Sequence, residues 1–499
     1  MNLPDLWVVL DIGTTELKGA LTNSQGEIEK ESSRANQTIN SLSGFEEQDA
    51  EKWWELVCEI LSELGSNKKI EAIGITGQMQ NLVLLDEYGE LLHPAILYSD
   101  QRALAEVHEL SEQDVFHEIK QKTGNEQGPS SVLCKLMWMK RNNSELYKKA
   151  SKIMLGSADF ISSKLTGKFF TDTTTASTTG LMHLSKRRWL DLSLFEKLAL
   201  KDCFPKLPIL ISGGSEIGPV KDDLAKRIGL NSGIRVFLGP GDAGANTIGS
   251  GCGNPGKAYA YCGTSGWVAF SEKTPADPDC GVITLSHPNP NLFIQVAPLL
   301  TAGGNLDWFK DVMEYQSFAE MLDNSLEAKS TKLLYLPYLK GERSPFIDPL
   351  ARGALIGLDT QTNKKILGRT ILEGVCLAFK HCLSALCQDM PKQLILTGGT
   401  SRSRNFCQLF ADVLQIEIIL LDKKQNIGLL GVLSSCGLEK MESTNNEKIE
   451  VFTPNKDKES YYAIKFEIYR KTYPRLEPIY KMLSNITLKN SLSESVIKL

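Results

Sequence analysis

The sequence predicts an α/β fold made of two domains with an active-site cleft between them. Short β-branched strands alternate with helix-like stretches, for example a strand over 7–10 and a helix over 50–64 with Asp49 as its N-cap. The 499 residues also exceed what a single hydrophobic core usually holds. The glycine-rich stretch 249–256 is typical of a linker. We therefore predict one domain over 1–249 and a second over 250–499.

The first predicted strand ends in an acidic residue and a glycine-hydroxyl turn, Asp11-Ile-Gly-Thr-Thr15. Gly13 lets backbone N–H groups approach a phosphate, and Thr14 and Thr15 add hydroxyl donors. The Asp11 carboxylate is placed to hold a Mg2+ ion that bridges those phosphates. Because Asp-x-Gly after a strand is more often an ordinary turn, this interpretation depends on the rest of the chain.

A second turn of the same kind follows an apolar strand predicted over 258–261. It contains Gly263, Thr264 and Ser265 and leads into another strand over 267–270. A tyrosine stands where the first copy carries its aspartate. Short Gly-Thr-Ser turns also recur by chance, but the shared flanking strands favour two related halves. One half would supply a metal-linked acid and the other neutral phosphate donors.

Asp242 lies in a stretch of small residues, Leu238-Gly-Pro-Gly-Asp-Ala-Gly-Ala-Asn-Thr-Ile-Gly249, where a helix is predicted to start. An aspartate at such a position usually caps the helix by accepting from backbone N–H groups. It can also accept the proton of a substrate hydroxyl as that hydroxyl attacks a phosphoryl group. Because the chain carries two phosphate turns, we favour Asp242 as the catalytic base.

Neutral polar side chains follow a further predicted strand over 72–76. Gln78 and Gln80 present donors and acceptors suited to sugar hydroxyls, and Met79 stands between them. Without context, a polar loop with one buried methionine explains the segment equally well. The sequence therefore offers this segment as a candidate sugar site.

Two glycine pairs precede predicted helices in the second half. Gly303 and its neighbour stand ahead of a helix over 306–313, and Gly398 with Gly399 separates a strand from a helix over 403–414. A Gly-Gly turn lets the backbone lie flat against an adenine or a ribose. Simple close packing of backbone is the alternative.

Three further segments are interpreted as structural. Asp100 and Arg102, one residue apart, are expected to form a salt bridge that orders a loop around Tyr98. The polar stretch 442–457 predicts an exposed loop with little order. The segment 461–483 predicts a final helix whose aromatic residues pack on the core.

The composition excludes several classes of function. With 55 basic against 60 acidic residues the net charge is −5, and no basic stripe indicates nucleic acid. The eleven cysteines form no Cys-x-x-Cys pair and no zinc-like spacing with the six histidines, so we expect a reduced, cytoplasmic setting. No apolar stretch approaches the length of a membrane span. The expected ligand is a small molecule.

Taken together and in this order, these segments resemble the FGGY family of carbohydrate kinases, within the sugar-kinase, actin and chaperone ATPase superfamily. The resemblance extends over nearly the whole chain. Beyond the phosphate turns it includes Glu47-Gln-Asp49 with Trp53-Trp54, Gly77-Gln-Met79, Asp100 with Arg102, Gly341-Glu-Arg-Ser-Pro345 and Asp348-Pro-Leu-Ala-Arg-Gly353. The last two, with the Gly-Gln-Met segment, look most like the xylulokinases.

The resemblance implies two ribonuclease-H-like domains that hold ATP and a sugar in the cleft between them. It also implies that Asp11 acts through Mg2+, which it binds through water, and that Asp242 is the base. For the nucleotide, the implied residues are Gly13, Thr14, Thr15, Lys18, Gly263, Thr264, Ser265, Gly303, Gly398 and Gly399. For the sugar, the implied residues are Gln78, Met79, Gln80 and Asp242. Lys18 also fits on its own, because a nearby cation neutralises charge on the transferred group.

The chain departs from the xylulokinase pattern at two positions that touch the sugar in that family. Gln80 stands where those kinases have histidine, and Ala243 stands where they usually have asparagine. A changed hydrogen-bonding group in a polar pocket usually changes which hydroxyl pattern is tolerated. The late glycine segment of the family is also altered, over 425–431.

We expect a Mg2+- and ATP-dependent kinase that phosphorylates a primary hydroxyl of a small sugar, with D-xylulose as the first candidate. Gluconate, another ketose or a polyol is the alternative that Gln80 and Ala243 motivate. From a different class, a non-catalytic, nucleotide-dependent sugar-binding regulator is less favoured, because both Asp11 and Asp242 are present. A homodimer is considered, although no motif specifies the oligomeric state.

Overall fold

Two mixed β-sheets, one from each half of the chain, organise the fold. The computed structural model describes residues 6–496 apart from 24–25, 40–41, 43, 67, 330, 387–389, 422–425 and 438–449, with side chains described as far as 486. The predicted α/β architecture is confirmed. Within the described residues, no helix is long and apolar enough to cross a membrane.

The first half of the chain supplies a six-stranded sheet and several short pairs of strands. Its strands are β1 (Leu6–Ile12), β2 (Glu16–Asn23), β3 (Ile28–Ala35), β4 (Glu47–Gln48), β5 (Ala72–Gly77), β6 (Val83–Leu85), β7 (Ala95–Ile96), β8 (Lys152–Met154), β9 (Phe170–Asp172), β10 (Met182–His183), β11 (Arg188–Trp189), β12 (Ile209–Ile211), β13 (Ser215–Pro219) and β14 (Arg235–Leu238). The large sheet has the order β13-β14-β5-β1-β2-β3. In it, β1 runs antiparallel to β2 and parallel to β5.

Helices cover this sheet and form a separate apolar cluster beside it. They are α1 (Ala50–Gly65), α2 (Leu104–Ser111), α3 (Val115–Thr123), α4 (Val132–Asn142), α5 (Ser144–Lys149), α6 (Ser157–Thr166), α7 (Thr173–Ser177), α8 (Leu192–Lys197), α9 (Asp222–Arg227) and α10 (Asp242–Thr247). The predicted start of α1 is confirmed, because the Asp49 side chain accepts from the backbone N–H of Glu51 at 2.9 Å. Its buried residues, Trp53, Val57 and Ile60 among them, recur at helical spacing and face the sheet.

The second half repeats the central strand arrangement of the first. Its strands are β15 (Ala258–Cys262), β16 (Gly266–Glu272), β17 (Ile283–Ser286), β18 (Phe293–Leu299), β19 (Leu334–Leu336), β20 (Ala354–Ile356), β21 (Gln393–Thr397), β22 (Glu417–Leu420) and β23 (Glu450–Phe452). The large sheet has the order β17-β18-β16-β15-β21-β22-β23. Here β15 runs antiparallel to β16 and parallel to β21, as β1 does with β2 and β5. The predicted relation between the halves is therefore visible in the strand order.

The helices of the second half are α11 (Gly304–Val312), α12 (Phe318–Leu326), α13 (Lys364–Leu386), α14 (Arg404–Leu414), α15 (Ile427–Ser435) and α16 (Glu459–Val496). The final helix is longer than predicted at both ends. The expectation of little order over 442–457 is wrong where the chain is described, because β23 pairs with β22. The remainder, 442–449, lies outside the described residues.

Residues from the second half of the sequence contact the first half at two places. Helix α15 belongs to the second half in sequence, yet its apolar residues pack against Trp7 and Val9 of the first sheet. At the second place, the Asn125 side chain exchanges two hydrogen bonds of 2.8 Å with the backbone of Thr284 in β17.

Candidate active site

The turn after β1 has its carbonyl groups held by side chains of the first half. Asn36 Nδ2 donates to Gly13 O at 3.0 Å, and Gln48 Nε2 donates to Thr14 O at 2.7 Å. Within the described part of the chain, the N–H groups of Thr14 and Thr15 have no backbone acceptor. A turn anchored through its carbonyls leaves such N–H groups available to an anion. This geometry suits the phosphate contacts predicted for the turn.

Gln78 connects the turn to the predicted sugar segment. Its Oε1 accepts from Thr14 Oγ1 at 3.1 Å, and its Nε2 donates to Gln48 Oε1 at 2.8 Å. Trp53 Nε1 donates to the same Gln48 oxygen at 3.0 Å. Because the Gln78 side chain is only 1 % exposed, its amide orders the phosphate turn in this conformation. Its contact with a sugar stays a prediction.

Asp11 ends β1 in a desolvated position beside the turn. Burial raises the pKa of its carboxyl to about 6, and the charge of Lys18 opposes that rise. Lys18 is the residue paired with Asp11 across the β1–β2 ladder. Its half-exposed ammonium lies 3.6 Å from Glu16. Lys18 can therefore reach charge that enters the cleft near Asp11.

Asp242 is the first residue of α10, and Gly241 occupies the N-cap position. The Asp242 carboxylate accepts from the backbone N–H of Ala243 at 2.8 Å, so it does not cap the helix in the usual way. Burial and, to a smaller extent, the Asp11 carboxylate raise the pKa of Asp242 to about 7. A carboxyl group whose pKa lies near neutrality is matched to proton transfer at physiological pH.

Gly428, in the first turn of α15, brings two oxygen atoms together at Asp11. A Cβ atom built on Gly428 would lie 3.0 Å from Asp11 Oδ2 and 3.6 Å from Asn246 Oδ1. Asn246 itself is held by a 2.9 Å bond from its Nδ2 to Asp242 O. A carboxylate and an amide oxygen can both accept hydrogen bonds from the water ligands of a hydrated Mg2+ ion. Among described residues, His, Cys, Asp and Glu alone form no group of three that could hold a metal.

Close backbone contacts hold the second phosphate turn. Gly303 N donates to Gly263 O at 2.7 Å, and Gly304 N donates to Thr264 O at 3.0 Å. A Cβ atom on Gly303 would lie 2.5 Å from Gly263 O, so only glycine allows this approach. Thr264 and Ser265 are exposed at the tip of the turn. The structure therefore brings the first predicted glycine pair against the second turn.

The other glycine pair reaches the same place from β21. Gly398 has a φ of 97°, and a Cβ atom there would lie 2.4 Å from Cys262 O. Thr400 Oγ1 donates to the same carbonyl at 2.9 Å. Gly399 has no other atom within 4 Å of its Cβ position, so its outer face is open. An open glycine beside a phosphate turn gives a flat surface for a nucleotide.

The predicted sugar segment contacts both halves. Met79 is buried in a small cluster with Leu285 and Ile294 of the second half, and Ala243 packs against that cluster. Gln80 has a φ of 58°, which is unusual for a residue with a side chain, and its Nε2 donates to Thr178 O at 2.8 Å. The segment is therefore rigidly held on its protein side.

Tyr98 is a cleft residue that the sequence reasoning missed. The expected salt bridge is confirmed, with Arg102 Nη2 2.7 Å from Asp100 Oδ2. The loop that it orders places Tyr98, 44 % exposed, beside Thr14 and Asp242. Burial of the phenol raises the pKa of Tyr98, the Asp242 charge raises it further, and a hydrogen bond with Thr14 lowers it. The sequence signal that could have identified Tyr98 is an aromatic residue two positions before the ion pair that orders its loop.

An aromatic stack flanks the second turn. The rings of Tyr261 and Trp267 stack with centroids 4.1 Å apart. Trp267 Nε1 donates to the Tyr259 hydroxyl at 3.2 Å, and Thr247 Oγ1 donates to that hydroxyl at 3.4 Å. Because Thr247 lies in α10, this chain of contacts connects the second turn to the helix that begins at Asp242.

Comparison with known proteins gives one consistent family. The family model for the N-terminal domain of the FGGY carbohydrate kinases matches residues 6–249, and that for the C-terminal domain matches 258–437. The xylulose kinase of Bacillus subtilis (strain 168) is 28% identical over 496 residues, which cover 95% of this chain and 98% of that protein. The xylulose kinase of Escherichia coli (strain K12) is 30% identical over 420 residues, covering 82% and 84%. The gluconokinase of B. subtilis is 25% identical over 506 residues, covering 97% and 96%.

Solved structures agree with the sequence comparison. A ligand-bound xylulose kinase from Lactobacillus acidophilus superposes with a TM-score of 0.89 at 27% identity, covering 96% of this chain and 99% of that one. A gluconate kinase from the same organism gives a TM-score of 0.89 at 27% identity, covering 96% and 100%. With the two phosphate turns and the buried acids described above, these matches show that the chain is a sugar kinase of the FGGY family of carbohydrate kinases.

Proposed function

We propose that this kinase transfers the γ-phosphate of ATP to a primary hydroxyl of D-xylulose. The observation that supports the proposal is the electrostatic coupling of Asp11 with Asp242, together with the contacts that connect the second turn to the helix beginning at Asp242. Phosphoryl transfer requires alignment and charge neutralisation more than covalent chemistry from the protein. A site with anchored turns and two buried acids meets both requirements.

Asp242 accepts the proton of the attacking hydroxyl in this proposal. The sugar oxygen forms a bond to the γ-phosphorus as the bond to the β–γ bridging oxygen breaks, and ADP leaves. Mg2+, held by Asp11 through water, would neutralise phosphate charge. The remaining roles are phosphate binding by Gly13, Thr14, Thr15, Lys18, Gly263, Thr264 and Ser265, and nucleotide binding by Gly303, Gly398 and Gly399.

The sugar-side residues favour a neutral acceptor. Met79, Gln80, Tyr98 and Ala243 carry no positive charge, whereas a carboxylate substrate such as gluconate gains most from a cationic partner. Ala243, which is partly buried against the cluster that contains Met79, offers an apolar surface, and Tyr98 offers a ring face with a hydroxyl. Gln80 keeps its Oε1 for a sugar hydroxyl because its Nε2 is already bonded to Thr178 O. A small ketose fits this set of groups.

A panel of sugars in a coupled ADP-release assay tests the proposal. We expect kcat/KM for D-xylulose to exceed that for D-ribulose, D-gluconate and glycerol by about tenfold or more. Preference for gluconate would show that Gln80 and Ala243 have redirected the site toward an acid. If no sugar stimulated ADP release, the non-catalytic regulator would replace the kinase assignment.

We also propose a domain division between residues 249 and 250 and a homodimeric assembly. The largely exposed, glycine-containing turn over 253–256 supports a division near this point, but residues 249–252 are not the linker expected from the sequence, because Ile248–Cys252 forms a further helical turn after α10 with Ser250 and Cys252 buried. Limited proteolysis tests the boundary, since we expect the exposed residues 254–257 to be cut before either domain. Light scattering tests the assembly, and a monomeric mass would overturn it.

A further inference from the structure

Lys135 is an ionisable residue in the interior of the first half that the phosphoryl-transfer mechanism does not use. It lies in α4 and is 0 % exposed, and its buried neighbours on that helix, Val132, Leu136 and Met139 among them, are mainly apolar. An ammonium group in such surroundings is costly unless it has a specific partner. The identity of that partner indicates what the lysine does.

The partner is not a carboxylate. Among the described residues, no carboxylate oxygen lies within 4.0 Å of Lys135 Nζ. Asp100 attracts Lys135 from further away, but its oxygens already accept from Glu46 N, from Arg102 N and from two guanidinium nitrogens of Arg102. Burial lowers the pKa of Lys135 to about 7, with Asp100 opposing and Arg102 assisting that change.

The partner of Lys135 is a backbone carbonyl in the sugar segment. Lys135 Nζ donates to Gln80 O at 2.7 Å. Gln80 is the residue with a φ of 58°, and this left-handed conformation determines where its carbonyl points. A residue with a side chain keeps such a conformation only when its surroundings hold it there.

We propose that Lys135 is a positioning residue for the acceptor sugar, which holds the left-handed turn at Gln80 through its carbonyl. The Thr178 carbonyl fixes the Gln80 side chain, and Lys135 fixes its backbone. Together they set the direction in which Met79 and Gln80 face the cleft. The proposal rests on the assignment of this segment to the sugar under the proposed function.

Steady-state kinetics of Lys135→Met test the proposal, because methionine matches the lysine stem without its donor. We expect the sugar KM to rise about tenfold or more, with the ATP KM within about twofold and kcat within about threefold of wild type. Lys140→Met is the matched control: Lys140 lies on the same helix and donates to Ala199 O at 2.6 Å, far in sequence from the sugar segment. Its sugar KM should not change.

A second comparison asks whether the effect passes through the backbone of residue 80. Glycine takes a left-handed φ freely, so Gln80→Gly removes the need for Lys135 to hold that conformation. In a Gln80→Gly background, Lys135→Met should therefore change the sugar KM by less than about threefold. An undiminished effect in that background would contradict the proposal.

The outcomes separate this inference from the kinase assignment. Suppose that the wild type phosphorylates a sugar, but Lys135→Met either raises the KM values for sugar and for ATP equally or changes neither. The inference about Lys135 then fails, while the assignment as a kinase stands. Lys135→Gln, which retains a donor but no charge, replaces Lys135→Met should the latter not fold. If neither variant folds, Lys135 is a structural requirement of the first half, and its role toward the sugar is overturned.

Discussion

Gly428→Ala should lower the activity of this kinase without lowering its stability. Gly428 lies in the first turn of α15, and its φ is not in the left-handed region, so alanine fits the backbone there. Replacing glycine by alanine inside a helix usually stabilises it by about 0.5–1 kcal/mol. The added methyl group nevertheless points at the Asp11 carboxylate.

The size of the effect follows from the distances. The new Cβ would lie 3.0 Å from Asp11 Oδ2, so that carboxylate must move by a few tenths of an ångström. Misplacing a reacting group by 1 Å can cost about a hundredfold, so a shift of about 0.4 Å corresponds to roughly sixfold. We therefore expect the rate to fall by roughly this factor and the Mg2+ concentration at half-maximal rate to rise, with no loss of thermal stability.

A titration of Mg2+ in the ADP-release assay, paired with thermal unfolding, measures both quantities. Ser434→Ala in the last turn of α15 is the control for alanine in this helix. Gly431→Ala should instead lower the thermal stability, because its Cβ would lie 1.8 Å from Ala245 O and the helix must shift. An unchanged Mg2+ requirement in Gly428→Ala would refute the placement of metal beside Asp11.

Three other predictions address the base, the buried acids and the cleft. Asp242→Asn should reduce transfer by about a thousandfold or more while ATP binding, measured by calorimetry, stays within about threefold. Burial raises the pKa of Asp11 to about 6 and of Asp242 to about 7, from an ordinary value of 3.8. Both groups therefore stabilise the folded state at low pH, and this stabilisation is lost as the pH rises through the raised pKa values. Because catalysis needs both carboxyl groups ionised, kcat/KM should rise from pH 5 to 8 while the midpoint of thermal unfolding falls. A rise or a fall of both quantities together would contradict this prediction. Sugar with a non-hydrolysable ATP analogue should reduce the radius of gyration in small-angle scattering, and no compaction would argue against closure.

The parts of the fold that depend on local pattern could be predicted from the sequence. The strands over 7–10, 72–76 and 258–261 were found within a residue or two, because short apolar runs before turns are local signals. The start of α1 followed from Asp49 for the same reason. The order of the strands in the sheets is not local, and only the similarity of the two halves indicated it.

Site residues that depend on distant contacts could not be predicted in the same way. The assignment of Gln78 to the sugar stays a prediction, and the bonds of its amide to Thr14 and Gln48, 64 and 30 residues away in sequence, had no local signal. Tyr98, Asn246 and Gly428 received no role, since their meaning comes from neighbours that only the folded chain brings near. Periodicity and turn chemistry carry no information about such pairs.

The packing of α15 determines which distances change if the cleft closes. Its apolar residues Leu429 and Val432 lie in one cluster with Trp7 of the first sheet, so α15 moves with the first half although its sequence belongs to the second. Gly428 therefore stays beside Asp11 throughout, and the candidate metal site does not depend on closure. Gly303 and Gly398 are fixed to the second turn and move with it. Closure would then bring ATP, held by the second turn, toward a metal site and base that are already formed.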